Sequence, residues 1–240
     1  MLSNEDISRY GEVGKVISFF QEIDKIPRKS GNEMGMVNYL KNFANSRNGL
    51  KFYSDEFNNV IIKKGATNGT NGYLAFQSHT DMICEKIETS NHDFSSDPIQ
   101  LVIDGDYIRS LDTSIGADNG IGVAYMLAML DSHTIQHPNL EMIFTSEEET
   151  SMNGAKNIDF SNLKSRRIIS LDAFSEDVIN CGCASNFSRV LKLNDSRTLI
   201  PEIASKSSYQ ISVDGFERWA FWKRSVSYTH LRAHETLANL

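Results

Sequence analysis

Four short clusters of ionisable residues in this chain of 240 amino acids carry groups that could act together on a polar substrate. In Gln77-Ser78-His79-Thr80-Asp81-Met82 the imidazole and the carboxylate stand two residues apart, so on an extended segment they project from one face. There Asp81 can accept one imidazole N–H while the other ring nitrogen of His79 binds a metal ion, although such a pair is also common on ordinary surfaces. Asp118 lies in Gly116-Ala117-Asp118-Asn119-Gly120-Ile121-Gly122, ahead of the apolar run 123–130. Glycines beside a carboxylate let the backbone approach a bound ion, and an Asp here equally suits the start of a helix. Glu147, Glu148 and Glu149 are consecutive. Charges so close repel one another, which a solvated surface tolerates and a pair of divalent cations would favour. Asp172 follows the apolar run ending at Leu171, where a lone Asp often does no more than cap a backbone group.

The elements that must position these groups follow from periodicity. Val13, Val16, Ile17, Phe20 and Ile23 recur at helical spacing and stop before Pro27 and a Ser-Gly pair; Met34, Val37, Leu40 and Phe43 repeat the pattern up to Gly49. Residues 60–62 and 73–76 are short apolar runs separated by a Gly/Asn/Thr-rich segment, the mark of two strands and a loop. A helix over 120–132, a strand over 140–145, a helix after Gly154 and a strand over 167–171 complete an alternation that predicts an α/β fold, a layered mixed sheet with helices on both faces. His79 and Asp81, the three glutamates, and Asp172 each sit just past a strand end. Ligand sites of open α/β sheets form outside the carboxyl ends of the strands.

Composition narrows the alternatives. Hydrophobic residues make up 40% of the chain, enough for a sizeable core. The net charge of −7, with Lys and Arg scattered, offers no stripe for a phosphate backbone, so no nucleic-acid partner is expected. The first residues are acidic before they are apolar, unlike a signal peptide, and no run approaches the roughly 18 apolar residues of a membrane span. A cytoplasmic protein without a membrane partner is the expectation. Cys84, Cys181 and Cys183 are too few for a disulfide framework and fit a reducing compartment. Cys181-Gly182-Cys183 is too tightly spaced for half of a zinc site and is read as a pair of buried thiols near a strand end.

Taken together, the order HxD, GADNG, a Glu-Glu pair followed by Gly154-Ala155, and a strand-end Asp resembles the M20 metallopeptidases. Residues 92–108, HDFSSDPIQLVIDGDYI, and GADNGIG resemble the branch of bacterial cytosolic dipeptidases that cleave Xaa-His and other dipeptides. The resemblance runs from about Ile26 to about Phe216. It implies two zinc ions, with Co2+ or Mn2+ able to stand in, and a dipeptide substrate hydrolysed by a metal-activated water. By position, His79, Asp118 and Asp172 resemble the ligands of one zinc, with Asp118 bridging to the second; Asp81 resembles the residue that orients His79. With register set by Gly154-Ala155, Glu148 aligns with the general base, Glu149 with a ligand of the second zinc, and Glu147 with a position beside the metals. The same motif serves tripeptidases, carboxypeptidases and N-acyl amino acid deacylases, and a non-catalytic metal-binding fragment is the alternative outside enzymes.

The resemblance also implies domains: residues 1–185 as the N-terminal part of the catalytic domain, and 186–216 as the beginning of an α+β lid through which the full-length protein would form a homodimer. Two departures stand out. Ser151 occupies the place of the Gly in the family's EExG, where strain in the turn is expected. After Phe216 the family continues with Gly-Gly-His-Ser-Gly, but residues 217–224 read Glu-Arg-Trp-Ala-Phe-Trp-Lys-Arg. The codons GAA GGT GGG CAT TCT GGA AAA GA encode Glu-Gly-Gly-His-Ser-Gly-Lys; one extra A after GAA gives GAA AGG TGG GCA TTC TGG AAA AGA, which encodes residues 217–224 as they stand. A frameshift between Glu217 and Arg218 is therefore expected, making 217–240 an out-of-frame tail that resembles foreign or linker sequence, with the i, i+4 spacing of His230 and His234 accidental. The last zinc ligand of the family, a C-terminal histidine, would then be absent, leaving little or no dipeptidase activity and weak zinc binding at one site.

Overall fold

The computed structural model describes residues 2–8 and 10–173. Helix α1 spans Asn4–Ser8, and the two N-terminal amphipathic patterns become α2, Gly14–Ile23, and α3, Met34–Asn45. Their apolar stripes, Val16, Ile17, Phe19, Phe20 and Ile23 on α2 and Met36, Val37, Leu40 and Phe43 on α3, are buried. After α3, Gly49 takes φ +85°, a conformation costly for any residue with a Cβ, and turns the chain into β1, Leu50–Ser54.

Strands β1, β2 (Val60–Lys64), β3 (Tyr73–His79), β6 (Asn139–Thr145) and β7 (Ile168–Ser170) make a five-stranded sheet in the order β1-β2-β6-β3-β7. β1 and β6 run antiparallel to β2, whereas β3 runs parallel to β6 and to β7, so the sheet is mixed. Period-2 alternation divides its faces. Val60, Ile62, Leu140, Met142 and Phe144 join the main core with α2, α3 and the long helix α4, Ala117–Asp131; Ile61, Ala75 and Ile143 point the other way, where Ile158 and Leu163 cover them. Those two residues belong to the segment that runs through α5, Asn153–Asn157, and the 3-10 turn Phe160–Asn162, so helical elements lie on both faces as expected. Helix α4 is apolar on nearly every side because it is wedged between α2 and β3.

Two features lie outside the sequence expectation. β1 buries none of its residues fully, so it gives little alternation to read. The hairpin of β4, Leu101–Asp104, and β5, Tyr107–Ser110, turns at Gly105-Asp106 with Gly105 at φ +61°. Its Gly-Asp dipeptide between apolar runs is a hairpin signal within the stretch used above only as a family motif. Among the described residues no helix is long and apolar enough to cross a membrane. The expected domain boundary at 185/186, the lid, Cys181, Cys183 and the out-of-frame tail lie outside the described residues.

Candidate metal centre

Parallel pairing brings the clusters together. In the ladder β3·β6, His79 stands opposite Thr145, and in β3·β7, Gln77 stands opposite Ser170. Continuing each register by two residues sets Glu147 level with Asp81 and Asp172 level with His79. Three segments remote in sequence therefore leave the sheet along one edge, and the α4 N-terminus adds Asp118.

His79 is buried, 1% exposed, and its two ring nitrogens face different partners. Nδ1 lies 3.1 Å from the Asp81 carbonyl oxygen and 3.3 Å from Asp81 Oδ1; Nε2 lies 3.0 Å from Asp118 Oδ1 and 4.0 Å from Asp172 Oδ2. Asp81, fully buried, is the hub of the site. Its Oδ1 accepts the backbone N–H of Glu148 at 3.0 Å, and its Oδ2 accepts that of Glu149 at 3.2 Å and the Ser30 hydroxyl at 2.7 Å. One carboxylate thus fixes the imidazole and the backbone carrying two of the glutamates. Burial alone would push the Asp81 carboxyl up, but the His79 ring, the Ser30 hydroxyl and the two amides hold it below the usual carboxylate range.

Asp118 lies in an irregular turn just ahead of the regular helix, which begins where it was expected. Gly116 is left-handed at φ +69°, Asp118 and Asn119 are non-helical, and the peptide bond between them is cis, so regular α-helix begins at Gly120 within the span Ala117–Asp131. The Asp118 carboxylate is turned to His79 Nε2. Among the three glutamates, Glu147 takes φ +50°, its amide donates to Glu33 Oε1 at 3.2 Å and its carboxylate accepts the Ser151 hydroxyl at 2.9 Å. The left-handed residue after the glutamates is Met152, φ +53°, so the strain expected at Ser151 falls instead on its neighbour and on Glu147. The register glycine has a packing reason: a Cβ on Gly154 would stand 2.6 Å from Asn59 Oδ1 and from the backbone N and O of Ser146. Gly154→Ala is expected to destabilise the fold by about 1–3 kcal/mol through overpacking; a urea midpoint equal to the parent's contradicts this.

Two groups of donors share the imidazole. His79, Asp118 and Asp172 offer ligand atoms all within 4.8 Å of one another, and so do His79, Glu148 and Glu149. His79, Asp118, Glu148, Glu149 and Asp172 are therefore drawn into one cluster, Asp81 joins it through His79 and the Glu148 and Glu149 amides, and Glu147 stands outside it, bonded to Glu33 and Ser151. The carboxylates show the strain of that crowding. Burial first, and then neighbouring negative charge only partly offset by His79, raises Glu148, Glu149 and Asp172 above the ordinary range. Imidazole and carboxylates in this proportion suit a borderline divalent ion, and their mutual repulsion is what bound cations relieve, so the donor set fits a metal centre. Ser30, Glu33 and Arg28 also reach the site loops. The sequence signal for them was a short polar stretch after Pro27, read only as the end of a helix.

Without metal, the imidazole itself serves as the cation. Burial alone would depress His79, but the hydrogen bonds of Asp81 and Asp118 and the charges of Asp81 and Asp172 outweigh it and hold the ring at about 9, against 6.5 for a free imidazole. A raised pKa means that the folded state binds the proton more tightly, so this stabilisation is complete below 6.5 and is lost as pH rises through about 9. Relative to His79→Gln, the chelated chain is expected to lose on the order of 3 kcal/mol of unfolding free energy over that interval. A difference that stays flat or grows, in urea unfolding followed across the same pH range, contradicts it.

No family model matches the chain. It is 32% identical over 200 residues, 82% of its length, to the cytosol non-specific dipeptidase of Escherichia coli (strain K12), and it spans 41% of that relative. Among solved structures it is similar to the aminoacylhistidine dipeptidase of Vibrio alginolyticus, with 37% identity, a TM-score of 0.64, and 67% of this chain matched to 33% of that one. It is also similar to a tripeptidase of Staphylococcus aureus, with 25% identity, a TM-score of 0.55, and 66% of this chain matched to 43% of that one.

Proposed function

We infer that this chain is a member of the M20 metallopeptidases, of their cytosolic dipeptidase branch, and that residues 79–172 hold two divalent ions, zinc in the first instance, at the centre of a dipeptide hydrolase. The observation that carries this is the sharing of His79 by two donor groups, with Asp81 anchoring the imidazole and the amides of Glu148 and Glu149 together. His79, Asp118 and Asp172 would hold one ion; Asp118 and Glu149 would reach the other. Bound there, the ions supply positive charge that lowers the pKa of a water from about 15.7 towards about 7 and polarises the scissile carbonyl.

The chain's own residues do the rest. The Glu148 carboxylate accepts the proton of the attacking water and returns it to the departing amine nitrogen, and burial, with the neighbouring carboxylates, holds its carboxyl above the ordinary range, in the direction that favours taking up a proton. Asp81 keeps the Nδ1–H of His79 engaged, so that Nε2 presents its lone pair towards Asp118 and Asp172. Among the described residues Asp118 and Glu149 would reach the second ion, and this chain by itself is proposed to hydrolyse dipeptides weakly or not at all. A longer protein carrying it would close a lid over the substrate and pair as a homodimer.

The test is a fusion of residues 2–173 to the C-terminal portion of the Escherichia coli relative, assayed with zinc against Xaa-His dipeptides, tripeptides and N-acyl amino acids. Preferential cleavage of dipeptides is the expected result. Preference for either other substrate class removes the dipeptidase assignment, and zinc binding without any hydrolysis removes the enzymatic one.

A further inference from the structure

Three loops must hold their spacing for the donor groups to converge: the one after β3, the turn before α4, and the one after β6. All three are gripped by the connector between α2 and α3, residues 28–33, which contributes no ligand. The Arg28 side chain is 1% exposed. Its Nη2 donates to the Gly116 carbonyl at 2.6 Å and to Asp24 Oδ1 at 3.0 Å, while Nη1 reaches the carbonyls of Thr80 and Asp81 at 3.4 and 3.5 Å. One guanidinium therefore spans from the turn that bears Asp118 to the loop that bears His79 and Asp81. The backbone reinforces it: Arg28 O accepts the Met82 amide at 3.1 Å, and Lys29 pairs with Met82 in a parallel bridge. Two residues on, the Ser30 hydroxyl holds Asp81 Oδ2 at 2.7 Å, and Glu33 Oε1 takes the amides of Gly31 and Glu147 at 2.8 and 3.2 Å.

The glycines of the Asp118 turn fit this arrangement. A Cβ on Gly116 would collide with Arg28 Nη2, and one on Gly120 would stand 2.8 Å from the same nitrogen. The glycines around Asp118 thus admit the guanidinium, a reason for them independent of any approach of backbone to an ion. Asp24, in turn, partners the buried charge from the last turn of α2, at i, i+4.

We propose that Arg28 and Ser30 are positioning residues of the metal centre, setting the separation between Asp118 and the His79–Asp81 pair and so the affinity and coordination geometry of the ions held between them. The proposal rests on the metal-centre reading above. Arg is suited to this task and Lys is not, because a fork can engage the Gly116 carbonyl and the Thr80 and Asp81 carbonyls together, whereas an ammonium is a single point on a flexible stem.

The experiment is a Co2+ titration of the 240-residue chain, followed by its visible absorption bands and by the dissociation constant, in the parent, Arg28→Lys, Ser30→Ala and Lys64→Met. Lys64→Met is a control for lost stability, since Lys64 Nζ donates to the Met129 and Ser132 carbonyls at the far end of α4. Arg28→Lys and Ser30→Ala are each expected to raise the dissociation constant by about 10–100-fold, the range for outer partners of metal ligands, and to change the band shape, while Lys64→Met lowers the urea midpoint and leaves both unchanged. Should Arg28→Lys fail to fold, Ser30→Ala decides. Parent-like constants and spectra in the folded variants overturn the proposal, as does an equal loss in Lys64→Met. A parent chain that binds no Co2+ overturns the metal-centre reading and this proposal with it.

Discussion

His79→Ala is expected to weaken divalent-metal binding to this chain by more than about 100-fold, beyond the 10–100-fold typical of losing a partner that merely orients a ligand. The expectation follows from geometry. His79 would be the nitrogen donor of the site it forms with Asp118 and Asp172, and it also stands against Glu148 and Glu149, so its removal takes the strongest ligand from the more complete site and unsettles the neighbouring carboxylates. It also strands Asp81, which would lose its contact with Nδ1 while still holding the amides of Glu148 and Glu149 and the Ser30 hydroxyl. Asp172→Ala, by contrast, leaves the His79-Glu148-Glu149 group intact and should cost less. The measurement is competition for Zn2+ against a chromophoric chelator; equal losses for the two variants would show that His79 contributes no more to the site than one of its carboxylates.

The second large effect concerns Glu148. In the fusion described above, Glu148→Gln is expected to lower turnover by about 10²–10⁴-fold, the usual range for removing a general base, while zinc binding stays close to that of the parent. Gln preserves the shape of the side chain and removes its capacity to accept a proton. Because Glu148 also belongs to a donor group with His79 and Glu149, the variant separates two roles that the metal-free geometry leaves adjacent. Loss of turnover together with loss of zinc would make Glu148 a ligand. Loss of turnover with zinc retained makes it the base.

Much of this centre could be read from the chain because its residues sit where simple patterns point. His79, Glu147 to Glu149 and Asp172 each follow an apolar run, and the parallel pairing of those runs is what converts three distant strand ends into one edge. Asp118 was legible by its glycines, although its surroundings were not. The cis bond to Asn119 and the left-handed Gly116 have no separate sequence signal, and the turn was read equally as an approach of backbone to an ion and as a helix cap. The connector after Pro27 was harder still. Arg28 and Glu33 are charged residues that sequence reasoning assigns to solvent, yet they are 1% and 0% exposed, buried because the carbonyls and amides of three loops need partners that water cannot supply there. Likewise, the strain expected at Ser151 was displaced by one residue, since the turn closes through bonds from Ser151 and Met152 to the Glu147 carbonyl and places Met152 in the left-handed conformation. Burial of polar groups against other loops is a tertiary effect, and periodicity along one segment does not report it.

The most direct test of the centre is anomalous diffraction at the zinc absorption edge from crystals of the 240-residue chain grown with Zn2+. The expected map has a peak bounded by His79 Nε2 and the Asp118 and Asp172 carboxylates, with any second peak beside Glu149 on the far side of Asp118. A zinc-saturated crystal whose anomalous density lies elsewhere, with His79 Nε2 still hydrogen-bonded to Asp118, contradicts it.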